Sequence, residues 1–243
     1  MTQEMLNRRN LVTLGASAVM GLAGVPSALA KPSQLEPARL ETCLFNFKDG
    51  VSAQDTSKAI AMVKAFAESS ASGGFLIGRN FNATPFPARF EWLYMIQLGA
   101  FGSPQGRTAY AGFQKAREAV LGVCRNNVEC GLDVALPPNY ADARGVGVRH
   151  TVMFNFKPDA SADARERNVA AIRRMGKLPM VQNYIVERNS FYVPETTKME
   201  WQVIGDFASA EDYKAYSQAP IHLAIREDFT AQTSRVAFLD TQL

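Results

Sequence analysis

The sequence has few of the residues that most often carry chemistry. Its 243 residues include three cysteines, two histidines and two tryptophans. No Cys-x-x-Cys pair occurs, which argues against a redox motif or a thiolate zinc site, and no ligand spacing indicates a metal. It also lacks a glycine-rich phosphate loop and a nucleophile elbow. We therefore predict no metal and no cofactor.

The charge is also small. Lys and Arg number 26 against 23 Asp and Glu, which gives a net charge of +3. These charges are spread along the chain without the basic run that follows a phosphate backbone, so we do not expect nucleic acid as a partner. A hydrophobic content of 47% and a charged content of 20% are typical of a globular protein.

The first thirty residues differ from the rest. Arg8-Arg9 precede an apolar stretch over residues 11–24, and small residues follow at Ala28 and Ala30. This order is typical of a cleaved signal peptide over residues 1–30. The paired arginines favour the twin-arginine route, with a Sec signal that carries two arginines as the alternative. Because the apolar stretch is too short for a stable span, we predict an exported, periplasmic protein whose mature chain has no membrane span.

The cysteine count is odd, so at most one disulfide forms within the chain. Cys124 and Cys130 are close enough in sequence to close a small loop in an oxidising compartment. Cys43 lies in an apolar strand pattern, which favours core packing. Whether Cys124 and Cys130 form a disulfide stays open at this stage.

One sequence unit occurs twice, at a spacing of 109 residues. The matched segments are Phe45-Asn46-Phe47-Lys48 with Phe154-Asn155-Phe156-Lys157, Ser52-Ala53 with Ser161-Ala162, Arg79-Asn80 with Arg188-Asn189, and Glu91-Trp92 with Glu200-Trp201. Four islands in one register indicate a duplication. Beyond Trp92 the register shifts by a few residues, which a short insertion around residues 99–106 explains. We interpret the Arg-Asn pairs as hydrogen-bonding devices at strand ends rather than anion sites.

Each unit is predicted to contain a strand, a helix, two strands, a second helix and a last strand. In the second unit the strands cover residues 149–156, 181–188, 199–207 and 235–240. One helix begins at Ser161 and runs to Gly176, and a second begins at Ser209, with Asp212 completing a pattern like a capping box. This is the ferredoxin-like βαββαβ order.

The predicted fold class is α+β, with the two ferredoxin-like units packed as an intrachain dimeric α/β barrel. One unit leaves a sheet face uncovered by its helices, and a second unit can bury that face. We divide the chain into the signal peptide at 1–30, a first unit at 39–136, a linker at 137–148 and a second unit at 149–243. The chain would then be a pseudo-dimer, and further oligomerisation stays open.

The second unit resembles the stress-responsive dimeric α/β-barrel (Dabb) family over residues 148–243. The resemblance is carried by residues 149–157 on the first strand, Arg-His-Thr-Val-Met-Phe-Asn-Phe-Lys, and by Tyr216 followed by Pro220-Ile221-His222. The first unit is assigned to the same family because it repeats the sequence of the second. The family contains stress-induced plant proteins that assemble into oligomers and a polyketide cyclase. The resemblance to the cyclase implies that Tyr216, His222 and His150 carry aldol chemistry.

The side chains suit this chemistry. His222 would act as the general base next to a carbonyl, because the unperturbed pKa of histidine lies near neutrality. Tyr216 would stabilise the developing enolate, and His150 would orient His222 or the substrate. The sequence thus predicts a cyclase or lyase acting on a small apolar or aromatic ligand.

Other interpretations stay open at this stage. The histidines can satisfy backbone groups and Tyr216 can be a core aromatic, which would make the chain a non-catalytic stress-response or assembly protein. A haem-binding barrel, with His222 or His150 as the axial ligand, is a further alternative. The first unit has Glu41 in place of His150 and residues 116–119 in place of Pro220-Ile221-His222. We therefore expect the first unit to be a structural partner without a site of the same kind.

Overall fold

Nine strands and five helices make up the regular structure that the computed structural model describes, over residues 36–69, 73–81, 90–100, 102–192 and 198–243. They are β1 (Glu36–Phe47), α1 (Ala53–Ser69), β2 (Phe75–Arg79), β3 (Trp92–Gly99), α2 (Pro104–Val123), β4 (Cys124–Leu136), β5 (Val148–Phe156), α3 (Ala162–Met175), β6 (Asn183–Arg188), β7 (Phe191–Tyr192), β8 (Trp201–Phe207), α4 (Ala210–Gln218), α5 (Pro220–Gln232) and β9 (Thr233–Gln242). The predicted signal peptide lies outside the described residues. Within them, no helix is both long enough and apolar enough to cross a membrane.

The strands form two antiparallel sheets, one in each half of the repeat. The first has the order β2-β3-β1-β4, to which the short β7 of the second half adds at the β4 edge. The second has the order β6-β8-β5-β9. Each half therefore has the βαββαβ order, and the prediction of an α+β fold with two ferredoxin-like units is confirmed.

Reciprocal contacts join the two units. The N–H of Phe81 donates to the carbonyl of Asp240 at 3.0 Å, and the N–H of Ser190 donates to the carbonyl of Gly131 at 3.0 Å. Ser190 follows Phe81 by 109 residues, and Asp240 follows Gly131 by 109 residues. Each contact is thus the counterpart of the other with the roles of the units exchanged, as in a two-fold dimer.

A shared hydrophobic core lies between the two sheets. It includes Leu40 and Leu93 from the first unit and Met153, Ile204 and Leu239 from the second, all fully buried. Each sheet thus covers the face of the other sheet, which the helices of that other unit leave open. The tandem repeat supplies within one chain what a single unit would need a partner to supply.

The repeated motifs form the same hydrogen bonds in both units. The side-chain oxygen of Asn46 accepts the N–H of Glu91 at 2.7 Å, and that of Asn155 accepts the N–H of Glu200 at 2.7 Å. In the Arg-Asn pairs, the asparagine amides donate to the backbone carbonyls of Phe90 and Met199, at 3.0 and 2.8 Å. The interpretation of these asparagines as hydrogen-bonding devices is confirmed.

The helical part after β8 consists of two helices, where the sequence predicted one. Its start agrees with the prediction, because the Ser209 hydroxyl oxygen accepts the N–H of Asp212 at 3.1 Å. However, α4 ends at Gln218, and α5 restarts with Pro220 at its first position. Proline has no N–H to donate and its ring clashes with the preceding turn, so it begins a helix more readily than it continues one.

The break in the helix changes which residues of the two units correspond. Lys48 donates its N–H to the carbonyl of Val123, and Lys157 donates to that of Gln232, so α2 and α5 end 109 residues apart. At this spacing of 109 residues His222 corresponds to Phe113. The predicted correspondence of Pro220-Ile221-His222 to residues 116–119 is therefore wrong.

Two separate length changes explain the register. The first unit has its extra residues before the helix, since the cap Ser103 follows Trp92 by eleven positions while Ser209 follows Trp201 by eight. The second unit regains three residues at the break around Ala219.

All three cysteines are free and buried. Cys124 and Cys130 both lie on the extended strand β4, six residues apart. At about 3.3 Å per residue their Cα atoms are roughly 20 Å apart, well beyond the reach of a disulfide. Cys43 is fully buried, in agreement with its predicted place in the core.

Candidate functional site

A cavity of about 950 Å³ lies inside the second unit, between its sheet and helices α3, α4 and α5. Val152, Val203 and Phe238 line it from the sheet, while Ile225 and Phe229 line it from α5. The three residues predicted to carry chemistry, His150, Tyr216 and His222, all line the same cavity. The fold therefore brings together side chains that are up to 72 positions apart in the sequence.

Tyr216 contacts both histidines. Its ring centroid is 4.7 Å from that of His222 and 6.1 Å from that of His150. Tyr216 belongs to α4, His222 to the first turn of α5 and His150 to β5. The helix break between Tyr216 and His222 thus separates two site residues that would otherwise share one continuous helix.

A buried carboxylate, which the sequence analysis did not identify, supports His150. The Nδ1 atom of His150 lies 2.5 Å from Oδ1 of Asp240, which stands directly opposite it on β9 and is fully buried. The contact occupies Nδ1 and leaves Nε2 available to a ligand. The sequence predicts a last strand that ends at Asp240. The register of this strand against β5, which places Asp240 opposite His150, is visible only in the structure.

A second residue that the sequence analysis did not identify is Tyr184 on β6, whose hydroxyl lies 2.9 Å from that of Tyr216. Burial raises the pKa of Tyr216 to about 12; the hydrogen bond from Tyr184 opposes this rise, and the negative charge of Asp240 adds to it. Burial, followed by the effect of Tyr216, raises the pKa of Tyr184 well above its usual range. Both phenols are therefore protonated at neutral pH, and the Tyr216 hydroxyl also donates to the sulfur of Met175 at 3.8 Å.

His222 is a neutral imidazole at neutral pH. Its pKa is lowered to about 4, mainly by burial and then by the electrostatic effects of His150 and Arg226, while the Ser217 backbone and Asp240 act in the opposite direction. Its Nδ1 atom is buried and has no hydrogen-bond partner among the described residues. His222 can accept a hydrogen bond from a ligand, but at this pKa it is a weak base.

The space corresponding to this cavity in the first unit is occupied by different side chains. Phe113 stands at the position of His222 and is almost fully buried against Tyr94, with ring centroids 5.9 Å apart. Glu41 stands at the position of His150, and Gly131 at that of Asp240. The first unit therefore has neither histidine nor the supporting aspartate.

Comparisons with known proteins agree with the fold. Residues 148–243 match the family described as the Stress responsive A/B Barrel Domain (Dabb), as the resemblance of the second unit predicted. This match covers less than half of the chain and does not extend to the first unit. No curated protein has a significantly similar sequence.

Two solved structures resemble the chain over both units. An anthrone oxidase-like protein aligns over 85% of this chain and 91% of its own, at 11% identity and a TM-score of 0.56. A candidate monooxygenase from Fusobacterium nucleatum subsp. nucleatum aligns over 85% and 92%, at 7% identity and a TM-score of 0.54. A hydroxynitrile lyase from Passiflora edulis aligns over 40% of this chain and 92% of its own, at 17% identity and a TM-score of 0.36. At these identities the likeness of the first two extends to the fold alone.

Proposed function

We propose that the second unit binds a small apolar or aromatic molecule and catalyses proton transfer on it, in a reaction of the aldol or lyase type. The observation that carries the proposal is the cavity of about 950 Å³ in which Tyr216 contacts both histidines. Ligand sites are commonly cavities of about 300–1,000 Å³ with apolar walls and a few convergent polar groups. If the three residues had a purely structural role, we would expect side chains to fill this space.

The hydrogen bonds support a division of roles in which His150 is the base, whereas the sequence analysis expected His222 in that role. In this proposal His150 acts as the base, because its Nδ1 atom contacts the Asp240 carboxylate and its Nε2 atom is left to take a proton from a carbon next to a carbonyl. Tyr216 stabilises the developing enolate oxygen with a hydrogen bond from its hydroxyl group, which is itself hydrogen-bonded to Tyr184. His222 serves as a hydrogen-bond acceptor that orients the ligand, because its pKa of about 4 makes it a weak base.

Ligand binding can be tested with a thermal-shift screen against aromatic carboxylic acids, fatty acids, an anthrone and hemin. A site-bound ligand at 100 times its Kd stabilises the folded state by about 2.7 kcal/mol. We expect a ligand to raise the Tm of the wild type but not of His222→Ala. Val120→Ala is the matched control, since Val120 is fully buried in the first unit away from the cavity. If no compound raises the Tm of the wild type, the proposal of a ligand site is wrong.

Catalysis can be tested separately by deuterium exchange at the carbon next to the carbonyl of a bound ketone, followed by NMR. We expect Asp240→Asn to slow the exchange by roughly 10²–10⁴-fold and Tyr216→Phe to slow it as well. His222→Ala should weaken binding more than it slows exchange at saturation. If all three variants bind the ketone and exchange it at the rate of the wild type, the site binds without catalysis.

We also propose that the protein is exported through the twin-arginine route. The proposal is supported by Arg8-Arg9, the apolar stretch that follows and the small residues before Lys31. Fractionation of cells that express the full chain tests it, with Arg8→Lys/Arg9→Lys as the variant. Retention of the variant in the cytoplasm is expected, and equal export of both forms would point to the Sec route.

A further inference from the structure

An ion pair occupies the space between the sheet and the second helix in the first unit. Glu129 on β4 is fully buried, and the Nε atom of Arg117 on α2 donates to its Oε2 atom at 2.5 Å. The hydroxyl of Tyr94 on β3 donates to Oε1 at 2.7 Å. An arginine on the helix thus binds a carboxylate that projects from the helix-facing side of the sheet.

The second unit keeps this arginine but not the carboxylate. At the spacing of 109 residues shared by the strands and the helix ends, Arg226 corresponds to Arg117 and Phe238 to Glu129. Phe238 lines the cavity. Among the described residues, the Arg226 guanidinium makes no ion pair or hydrogen bond. Arg226 therefore occupies the helix position of Arg117, but the second unit has no carboxylate at the position of Glu129.

Arg226 belongs to the side of α5 that lines the cavity. His222 and Phe229, four residues before it and three after it, line the cavity with it. Although the residue is exposed, its charge acts on the site, because it contributes to the low pKa of His222. The cavity lining contains two arginines, Arg226 and Arg235, and neither an aspartate nor a glutamate. Such a lining favours an anionic ligand.

We propose that Arg226 binds the carboxylate of the ligand, as Arg117 binds Glu129 in the first unit. The substrate class is then an apolar or aromatic carboxylic acid, with its body among the apolar walls and its carboxylate on the solvent side of the cavity. A guanidinium suits this group because it donates parallel hydrogen bonds to the two oxygens. This inference rests on the proposed function, since it specifies the ligand of the same site.

Isothermal titration calorimetry with matched pairs of probes tests the inference. The probes are naphthalene-2-carboxylate against naphthalene-2-carboxamide, and decanoate against decanamide, titrated into the chain from residue 31 onward. In the wild type we expect each acid to bind about tenfold more tightly than its amide, since a hydrogen bond to a charged group adds about that factor. Arg226→Gln should remove this preference by weakening the acid and leaving the amide unchanged.

The control variant is Arg174→Gln, which makes the same change in net charge at an exposed position on α3 outside the cavity. Equal affinities of acid and amide in the wild type would overturn the carboxylate inference and leave ligand binding intact. An equal loss in Arg174→Gln and Arg226→Gln would overturn it too, since it would show a general effect of charge. If neither probe of a pair binds the wild type, the ligand site itself fails with the inference.

A second measurement reports on the contact directly. NMR titration of the His222 ring should show a rise in its pKa in Arg226→Gln, because a neighbouring positive charge is removed. Binding of the carboxylate probe to the wild type should raise this pKa further than binding of the amide does. A His222 pKa that responds equally to both probes would contradict a carboxylate beside Arg226.

Discussion

Replacement of Glu41 by glutamine is expected to stabilise the protein in a pH-dependent manner. The Glu41 carboxyl is fully buried, and neither oxygen has a hydrogen-bond partner among the described residues. Burial, followed by the negative charge of Glu129, raises its pKa from 4.5 to about 8. Arg39, whose Nε atom is 3.9 Å from Oε1, opposes this rise only in part.

The sign and size follow from the two pKa values. Because the pKa is higher in the folded state, the folded protein holds this proton more tightly than the unfolded chain does. Below pH 4.5 the carboxyl is protonated in both states, and the penalty is absent. Between pH 4.5 and about 8 the free energy of unfolding falls by about 1.4 kcal/mol per pH unit. At neutral pH this amounts to roughly 3 kcal/mol, which Glu41→Gln should recover.

Urea denaturation at constant ionic strength, from pH 4.5 to 8, measures the effect. We expect Glu41→Gln to differ little from the wild type at pH 4.5 and to become progressively more stable as the pH rises. Glu118→Gln, at an exposed position on α2, is the control and should stay within about 0.5 kcal/mol of the wild type. A gain that does not change with pH, or a loss of stability at neutral pH, would refute the reasoning.

Three further predictions concern other contacts. Asn155→Ala removes the acceptor of the Glu200 N–H and should lower the free energy of unfolding by about 1–3 kcal/mol in urea denaturation; no change would contradict a stabilising role of this hydrogen bond. Tyr184→Phe removes the hydrogen bond that opposes the rise in the pKa of Tyr216, so this pKa should increase in an ultraviolet titration. Arg149→Leu removes the ionic partner of the fully buried Asp206, whose Oδ1 atom is 2.7 Å from the Arg149 Nε atom; we expect a loss of about 3–5 kcal/mol, and a loss below 1 kcal/mol would contradict the burial of this pair.

The fold could be predicted from the sequence because its main signals are local. Ser161 and Ser209 cap their helices through hydrogen bonds that span three residues, and the alternating residues 149–156 show which face of a strand is buried. The break at Pro220 was not predicted, although this proline stands at the first position of α5. A proline preceded by a helical pattern could have indicated it.

The candidate site could be predicted only in part. His150, Tyr216 and His222 were predicted through the resemblance of the second unit to the cyclase of the Dabb family. Asp240 and Tyr184 were missed, because their roles depend on strand register and on how a helix packs over the sheet. Asp240 lies 90 positions from His150 in the sequence. No local sequence pattern indicates that two residues so far apart in the sequence are in contact, whereas the pairing of β5 with β9 places them opposite each other.

The two units differ in the partners of corresponding residues between the sheet and the second helix. In the first unit Arg117 is paired with Glu129, and Phe113 fills the position of His222. In the second unit, within the described residues, Arg226 lacks an ionic partner and the buried Nδ1 atom of His222 lacks a hydrogen bond. The unpaired buried Nδ1 atom of His222 lowers stability by about 1–3 kcal/mol, which a ligand that forms a hydrogen bond with this atom can recover as binding free energy. In the proposed function, the second unit keeps these two groups available for a ligand.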